Sequence, residues 1–354
     1  MRRLLSTRPI RYLPTVSLGI AGGGIALLLQ FPIPWLLGSL LFCAVGSRAG
    51  LPVRSLPGVL ERWMRVAIGV SLGPSVASSM QVSGADLPFA VVAALGITTL
   101  TVAAGTPWFE QRVGLPRPAA FLCALPGGLS MLLALSGDTG NRAEVLLVHA
   151  VRVVIVVVSI SLLARMLGVP PEPDPLLASL DWHNDTSPWV LAGLVIVCFM
   201  LAERLRIAGG HVIIPMIIAA CIAAFTEIDI APPMVVKTIA MLVFGMVIGC
   251  EVANGPRERY YQLFAASAVF TIVIMAVAAM FAMVLTQLID QHFLVLFLSL
   301  APGGIAEVSL VALALGLDAG LVALVHSCRF IYIITAGPVG LRMLRKRQVR
   351  TPKA

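Results

Sequence analysis

The chain has 354 residues, 59% of them hydrophobic and only 12% charged, and its mean hydropathy is +0.97. A soluble domain carries about 25% charged residues and cannot bury so much apolar surface, so this composition excludes a soluble globular protein and predicts lipid as the solvent. The net charge of +8 could indicate a nucleic-acid partner, but the 25 Lys and Arg residues lie in short clusters between apolar runs. Such clusters are typical of membrane proteins with positively charged cytoplasmic loops, so direct nucleic-acid binding is not predicted.

Twelve apolar segments follow one another in two sets of six, and they predict an all-α integral membrane protein. They cover residues 13–30, 34–47, 63–80, 87–108, 119–136 and 143–167, and then 189–201, 212–225, 235–250, 263–288, 293–315 and 319–343. The stretch between the sets is rich in Pro and Asp, which favours an aqueous linker. We therefore divide the chain into a first repeat (1–168), a linker (169–187), a second repeat (188–343) and a basic cytoplasmic tail (344–354).

Four features recur in the same order in both sets. The matching elements are Pro34 and Pro215, 181 residues apart; Gly69-x3-Gly73 and Gly245-x3-Gly249, 176 apart; Pro126-Gly127-Gly128 and Pro302-Gly303-Gly304, 176 apart; and His149-x2-Arg152 and His326-x2-Arg329, 177 apart. A series at nearly one offset predicts that a single unit is used twice. The four glycines of the Gly-x3-Gly pairs predict seams of close helix packing.

The distribution of Lys and Arg over the loops distinguishes two topologies. If all twelve segments cross, the halves are parallel, with 17 loop cations inside and 5 outside. If each Pro-Gly-Gly segment dips in and returns on the same side, each half has five spans, the halves are inverted, and the split becomes 20 to 2. Because cytoplasmic loops are enriched in Lys and Arg, we predict ten spans in two inverted repeats, with both termini in the cytoplasm.

The two Pro-Gly-Gly breaks are the candidate ligand site. Proline removes an N–H and glycine adds backbone freedom, and non-helical backbone at membrane depth is tolerated only inside protein or along a cavity. Two breaks in inverted halves favour a binding site at the repeat interface, although two kinks without a ligand are the alternative. The predicted pathway comprises the breaks and the polar residues near them: Pro126, Gly127, Gly128, Ser130, His149, Arg152, Pro302, Gly303, Gly304, Glu307, Ser309, His326 and Arg329.

The ionisable residues near the breaks suggest what the site binds. Arg152 and Arg329 lie inside apolar segments, where an arginine needs a partner or a wet cavity. Glu307 could be a counter-ion for Arg329, a site for a coupling ion or proton, or half of a purely structural pair; the first half has Met131 in its place. Two arginines and two helix N-termini against one glutamate favour a small anion as solute. We predict that the histidines are packing residues, with a role in ligand binding as the alternative.

Enzymatic chemistry is not predicted. The sequence has no Gly-rich phosphate loop, nucleophile elbow or Ser–His–Asp spacing, and its five histidines are scattered. We therefore predict no catalytic residue, metal or cofactor. The six cysteines fall inside apolar runs and are predicted to be small buried hydrophobes.

The segments PGGLS and PGGIAEVSLVALALGLDAGLVALVHSCR, with the duplicated GVSLG and GMVIG, resemble the membrane AbrB family of bacterial proteins over nearly the whole chain. The first repeat departs from the family's acidic pattern at Met131, which puts in doubt any role that needs two carboxylates. The resemblance implies a multi-pass protein of the bacterial inner membrane. The family is named for a regulator of aidB expression, is also labelled an ammonia monooxygenase, and differs from the small soluble DNA-binding regulator of the same name.

Three functions follow as hypotheses. The inverted repeats, breaks and midplane charges favour a secondary transporter of a small-molecule or ion ligand. The family label suggests a membrane regulator of gene expression, which with such short cytoplasmic loops would act indirectly. An ammonia monooxygenase would need copper ligands, usually clustered histidines, and the scattered histidines argue against it. The predicted partners are the lipid bilayer and the ligand, and a homo-oligomer is left open.

Overall fold

The computed structural model of the chain describes residues 9–31, 33–127, 140–168, 188–226, 228, 230, 232–256 and 258–350. Within these ranges the chain forms thirteen α-helices and a 3-10 turn at Pro9–Tyr12, with no strand. The helices are α1 (Leu13–Leu28), α2 (Pro34–Arg48), α3 (Gly58–Val82), α4 (Leu87–Val113), α5 (Arg117–Ala124), α6 (Arg142–Met166), α7 (Pro188–Leu205), α8 (Gly210–Phe225), α9 (Met234–Ala253), α10 (Tyr260–Leu285), α11 (Phe293–Leu300), α12 (Ile305–Ala314) and α13 (Ala319–Arg350). The predicted linker and the last four residues of the tail lie outside the described ranges.

The described helices confirm an all-α, multi-pass membrane protein. Six of them, α4, α6, α7, α9, α10 and α13, are long and apolar enough to cross a bilayer. At 1.5 Å per residue the 16 residues of α1 or α8 extend about 24 Å, which is shorter than the roughly 30 Å hydrocarbon core. The peripheral helices α4, α7 and α10 expose large apolar side chains such as Phe89, Val197 and Met280, which are more than half accessible and suit a lipid environment.

Helices of the two halves begin at nearly constant spacing. The starts of α2 and α8, of α3 and α9, and of α5 and α11 lie 176 residues apart, and those of α6 and α13 lie 177 apart. Their packing is reciprocal, since α3 packs against α8 as α2 packs against α9, and α4 packs against α13 as α10 packs against α6. α5 and α11, whose bounds correspond residue for residue, pack against α6 and α13 respectively.

The Gly-x3-Gly helices form the two closest crossings. A Cβ atom at Gly69 of α3 would lie 2.5 Å from the carbonyl oxygen of Val212 and from Cγ of Pro215 in α8. A Cβ atom at Gly245 of α9 would overlap the equivalent groups of α2, the Leu36 carbonyl and the Ser39 hydroxyl. Gly73 faces Ala219 and Gly249 faces Leu40 and Cys43 in the same manner. Only glycine lets these backbones approach so closely.

These crossings correct one of the predicted repeat matches. Pro215 lies within α8 and occupies the position that Ser39 occupies in α2, whereas Pro34 is the first residue of α2. At that position a proline is favoured because its missing N–H would have no acceptor within the helix. The match between Pro34 and Pro215 was therefore wrong. The residue equivalent to Pro215 is Ser39, and these two lie 176 positions apart, as do the glycines that face them. The expectation for the cysteines was also wrong at Cys221, which is exposed on α8.

Candidate functional site

Each apolar segment with a Pro-Gly-Gly motif is a helix that stops at the motif. α5 ends at Ala124 and α11 ends at Leu300, and the next residues, Leu125 and Ala301, adopt extended backbone with φ near −60° and ψ of 121° and 141°. In the second half Gly304 is also extended, and α12 begins directly after it. The residue before a proline is pushed out of the helical region, and proline cannot continue the hydrogen-bond ladder, so both helices end where the sequence requires. Gly128 and Ser130 lie outside the described residues.

Arg329 holds the second break from α13. Its Nη1 donates to the carbonyl oxygen of Ala301 at 2.7 Å and its Nη2 to that of Gly303 at 2.7 Å. His326, one turn earlier, bonds the carbonyl of Leu298 through Nε2 at 3.0 Å and contacts the Arg329 guanidinium through Nδ1. Both side chains are almost fully buried. The fork of guanidinium donors therefore bonds carbonyls of the break itself, where the backbone does not continue the helical ladder.

Arg152 and His149 hold the first break from α6. Arg152 donates to the carbonyl oxygens of Leu125 at 3.0 Å and Cys123 at 2.6 Å. The Nε2 atom of His149 lies 3.0 Å from the Leu125 carbonyl oxygen and its Nδ1 atom lies 2.9 Å from that of Val145 in its own helix, and a neutral imidazole donates to one of the two. Each His-x2-Arg motif thus holds its own half's broken segment, and the Arg152 bond to Leu125 corresponds to the Arg329 bond to Ala301, whereas the other carbonyl partners differ between the halves.

The two breaks meet inside the protein. Pro126 and Gly127 of the first break and Gly303 and Gly304 of the second line one cavity of about 10 Å³. Arg329 lines it as well. Backbone without helical hydrogen bonds therefore lies at the contact between the two halves, in the place where the sequence predicted a site.

A second cavity, of about 30 Å³, adjoins both breaks and is lined by charged groups. Gly127 and His149 line it from the first half, and Gly304 and Glu307 from the second. Glu61 and Arg65 in the first turns of α3 and Glu251 in the last turn of α9 complete the lining. We call Glu61, Arg65, Glu251 and Glu307 the acidic cluster. The cavity has room for about a water molecule or a small ion in this conformation.

Glu307 pairs with Arg65. Its Oε1 lies 3.8 Å from Nη2 of Arg65, and the same Nη2 bonds Oε1 of Glu61 at 2.5 Å. Arg329, one of the alternatives considered as its partner, is bonded to backbone carbonyls instead. Glu307 sits in the first turn of α12, where the partial positive charge of the helix N-terminus favours a carboxylate. Its other oxygen lies against Gly304, so a side chain at Gly304 would displace it.

Ser309, the last predicted site residue, is fully buried two residues after Glu307. Among the described residues its hydroxyl has no hydrogen-bond partner. Ser309 does not line either of the two cavities at the breaks, so the structure does not bring this residue to them. Within the same ranges, no group of three or more His, Cys, Asp or Glu residues has an arrangement that could hold a metal ion.

Sequence reasoning missed Glu61, Arg65 and Glu251 as members of the site. A signal was present for the first two, because Arg65 lies inside an apolar segment and Glu61 stands one turn before it on the same helical face. An ionisable pair within a membrane segment marks a functional site by default. Glu251 gave no such signal, since it follows the last Gly of its segment and could have been in water.

Residues 35–345 match the family model AbrB, described as transition state regulatory protein AbrB. The chain is 23% identical to "Uncharacterized protein YhjN" of Bacillus subtilis (strain 168), with 93% of this chain and 92% of that protein covered. It is also 23% identical to "Putative regulator AbrB" of Escherichia coli (strain K12), with 90% of this chain and 92% of that protein covered.

Proposed function

Since the chain belongs to the membrane AbrB family, we propose that it is a secondary-transporter-like carrier of a small solute, with its ligand site where the two breaks meet. The observation that carries this proposal is the pair of cavities at the breaks. Both halves contribute non-helical backbone to one contact, and a buried glutamate lies beside it. In carriers of this kind, broken helices at the repeat interface supply backbone groups to the ligand.

The carrier is built from two inverted repeats with ten spans in a bacterial inner membrane. Equal helix spacing and reciprocal packing of the halves support a repeat, and the Lys and Arg count supports inversion, with both termini in the cytoplasm. In this topology α3 begins and α9 ends at the cytoplasmic side. The acidic cluster then lies on the cytoplasmic side of the breaks.

Cysteine labelling tests this topology. Cysteines at Thr139 and Asp181, which lie outside the described residues, are introduced into a Cys221→Ser background because Cys221 is the exposed native cysteine. We expect a membrane-impermeant maleimide to label position 181 in spheroplasts, and position 139 only after the cytoplasmic face is opened. The reverse pattern at both positions would establish twelve full crossings and parallel halves.

The charge of the cavity changes the expectation for the solute. A small anion was favoured because Arg152 and Arg329 were expected to face it, but their guanidinium groups bond backbone carbonyls. The cavity beside the breaks is lined by three glutamates and Arg65. This composition favours a proton or small cation there, so we propose Glu307 as the coupling site and leave the solute's charge to the binding screen.

A proton at Glu307 would change the local structure. Ionised, the carboxylate is held by Arg65 and the N-terminus of α12; protonated, it loses most of both attractions. α12 packs against α3, so the state of Glu307 bears on a contact between the two halves of the chain. Coupling in this scheme is the release of that contact when the proton binds, together with opening of the narrow cavity.

The first experiment is a thermal-shift screen of the detergent-purified protein against small anions, carboxylates, ammonium and common cations. Each stabilising compound is then tested for flux into proteoliposomes with and without a pH gradient. We expect Glu307→Gln to abolish gradient-driven flux, because an amide cannot release a proton. The matched control is Glu258→Gln, an exposed glutamate in a loop, which we expect to transport like the unchanged protein.

The outcomes distinguish a wrong assignment of Glu307 from a wrong assignment of the transport function. Gradient-driven flux in Glu307→Gln equal to that of Glu258→Gln would remove Glu307 from the mechanism while leaving a carrier. No stabilisation and no flux across the panel would remove the transporter proposal itself.

A membrane regulator of gene expression is the second candidate, because a relative that covers 90% of this chain is named a regulator. Under this proposal the site senses a ligand and a protein partner passes the signal on. A ligand that stabilises the protein and is not transported would favour it. The ammonia monooxygenase label has a direct test, since it requires copper in the purified protein in stoichiometric amount.

A further inference from the structure

We propose that a groove between α4, α5 and α13 binds one anionic phospholipid. The groove, which we call the lipid groove, has a volume of about 420 Å³ and is open at the surface. Val102 and Ala103 of α4, Phe121 of α5, and Gly340, Met343 and Leu344 of α13 line its apolar part. Arg117, at the N-terminus of α5, lines it too.

Small residues create the groove. A Cβ atom at Gly340 would lie 2.8 Å from Cζ of Phe121, so the phenyl ring packs directly on the α13 backbone. Beside it Ala103 is exposed and offers only a methyl group, while Met343 is exposed on the opposite wall. In a bundle surrounded by lipid, an open apolar groove is filled by lipid, and the chemistry matching its walls is an acyl chain.

The basic residues at one end specify the headgroup. Arg117 is half exposed, with Nε 3.8 Å from Oε2 of Glu110, a separation that leaves most of its donors available. Arg342 is exposed on the α13 turn that carries Gly340 and Met343, and Arg112 lies at the end of α4 with its guanidinium over the Trp108 ring. Beyond them the sequence adds Arg345, Lys346 and Arg347 on the same helix.

This cluster of arginines complements a lipid headgroup with a net negative charge better than a zwitterionic headgroup. The C-terminal end of α4, the N-terminal end of α5 and the C-terminal end of α13 meet at the groove, so the arginines share one side of the membrane. Basic pockets between membrane helices on the cytoplasmic side bind anionic headgroups, with about 1 kcal/mol for each Lys or Arg near the surface. Because α5 leads into the first break, the bound lipid would hold that segment against α13.

Native mass spectrometry of the detergent-purified full chain tests the proposal, with phosphatidylglycerol, cardiolipin and phosphatidylcholine as probes. We expect retention of one phosphatidylglycerol or cardiolipin in preference to phosphatidylcholine. Arg117→Gln, which removes the arginine that lines the groove, should weaken anionic lipid binding about fivefold. Ala103→Trp should reduce binding of all three lipids, because the indole fills the groove. Arg204→Gln, at the exposed end of α7, is the matched control and should bind like the unchanged protein.

Thermal unfolding of each variant shows whether it is folded, and only folded variants are compared. Equal binding of the three lipids by the unchanged protein would overturn the proposed headgroup preference. Unaltered binding in Arg117→Gln and in Ala103→Trp would overturn the site. A change of oligomeric state in Ala103→Trp, with lipid binding unchanged, would show that a second copy of the chain covers the groove and not a lipid.

Discussion

Gly69→Val and Gly245→Val are each expected to prevent stable folding, whereas Gly96→Val is expected to be tolerated. At Gly69 the first added carbon would lie 2.5 Å from the backbone of α8, and at Gly245 it would overlap the backbone of α2. Neither contact is with the end of a flexible side chain, so the helices must separate. Overpacking of this kind costs about 3 kcal/mol, and loss of a crossing between the two halves adds to it.

Gly96 provides the control because it lies within α4 with no atom within 4 Å of its Cβ position. At Gly96 a valine changes helix propensity as it does at Gly69 and Gly245, but it meets no neighbouring helix. The measurement is the thermal midpoint of the detergent-purified variants, with the fraction that elutes as a single species in size-exclusion chromatography. Equal midpoints for Gly69→Val and Gly96→Val would show that the α3–α8 crossing is looser than the structure has it.

The sequence predicted these crossings because their information is local. Small residues four apart on an apolar helix have one common use, and two such pairs at one offset indicate two equivalent crossings. The breaks were predicted for the same reason, since proline followed by two glycines disrupts a helix whatever surrounds it. The proline match failed because Pro34 and Pro215 do different things, one starting a helix and one lying inside it.

The partners of the charged residues could not be predicted in this way. Arg329 was expected to need a partner or a wet cavity, with Glu307 as one candidate. Its acceptors are the carbonyls of Ala301 and Gly303, and every residue in the chain carries such a group. The pairing of Glu307 with Arg65 joins residues that are 242 positions apart and depends on how α12 packs against α3. Sequence patterns report which helical face a residue occupies, whereas its partner is set by the tertiary arrangement.

Arg329→Ala is expected to destabilise the protein far more than its own contacts suggest. The substitution removes the Arg329 donor from the Gly303 carbonyl and leaves the Ala301 carbonyl with the Gly303 N–H alone. A buried polar group left unsatisfied costs about 1–3 kcal/mol. A cavity replaces the guanidinium, so we expect a loss of about 3–5 kcal/mol of unfolding free energy. Arg329→Lys should lose less unfolding free energy than Arg329→Ala, because the ammonium keeps the charge and can still donate to a carbonyl. It should be less stable than the unchanged protein, because it cannot reach both carbonyls with a planar fork. Arg204→Ala, at an exposed position, should change the thermal midpoint little.

Substitution of both Arg152 and Arg329 tests whether the two breaks stabilise one another. Arg152 and Arg329 clamp different segments, so independent segments would make the effects of Arg152→Lys and Arg329→Lys additive. The breaks line a common cavity, however, and loosening one removes support from the other. We therefore expect the double variant to depart from additivity by at least about 0.5 kcal/mol, the range seen for residues that share a structural unit. Thermal and chemical unfolding of the unchanged protein, the two single variants and the double variant measure this coupling energy. A coupling energy of zero would mean that each clamp stabilises its own half alone, and that the two breaks move independently of one another.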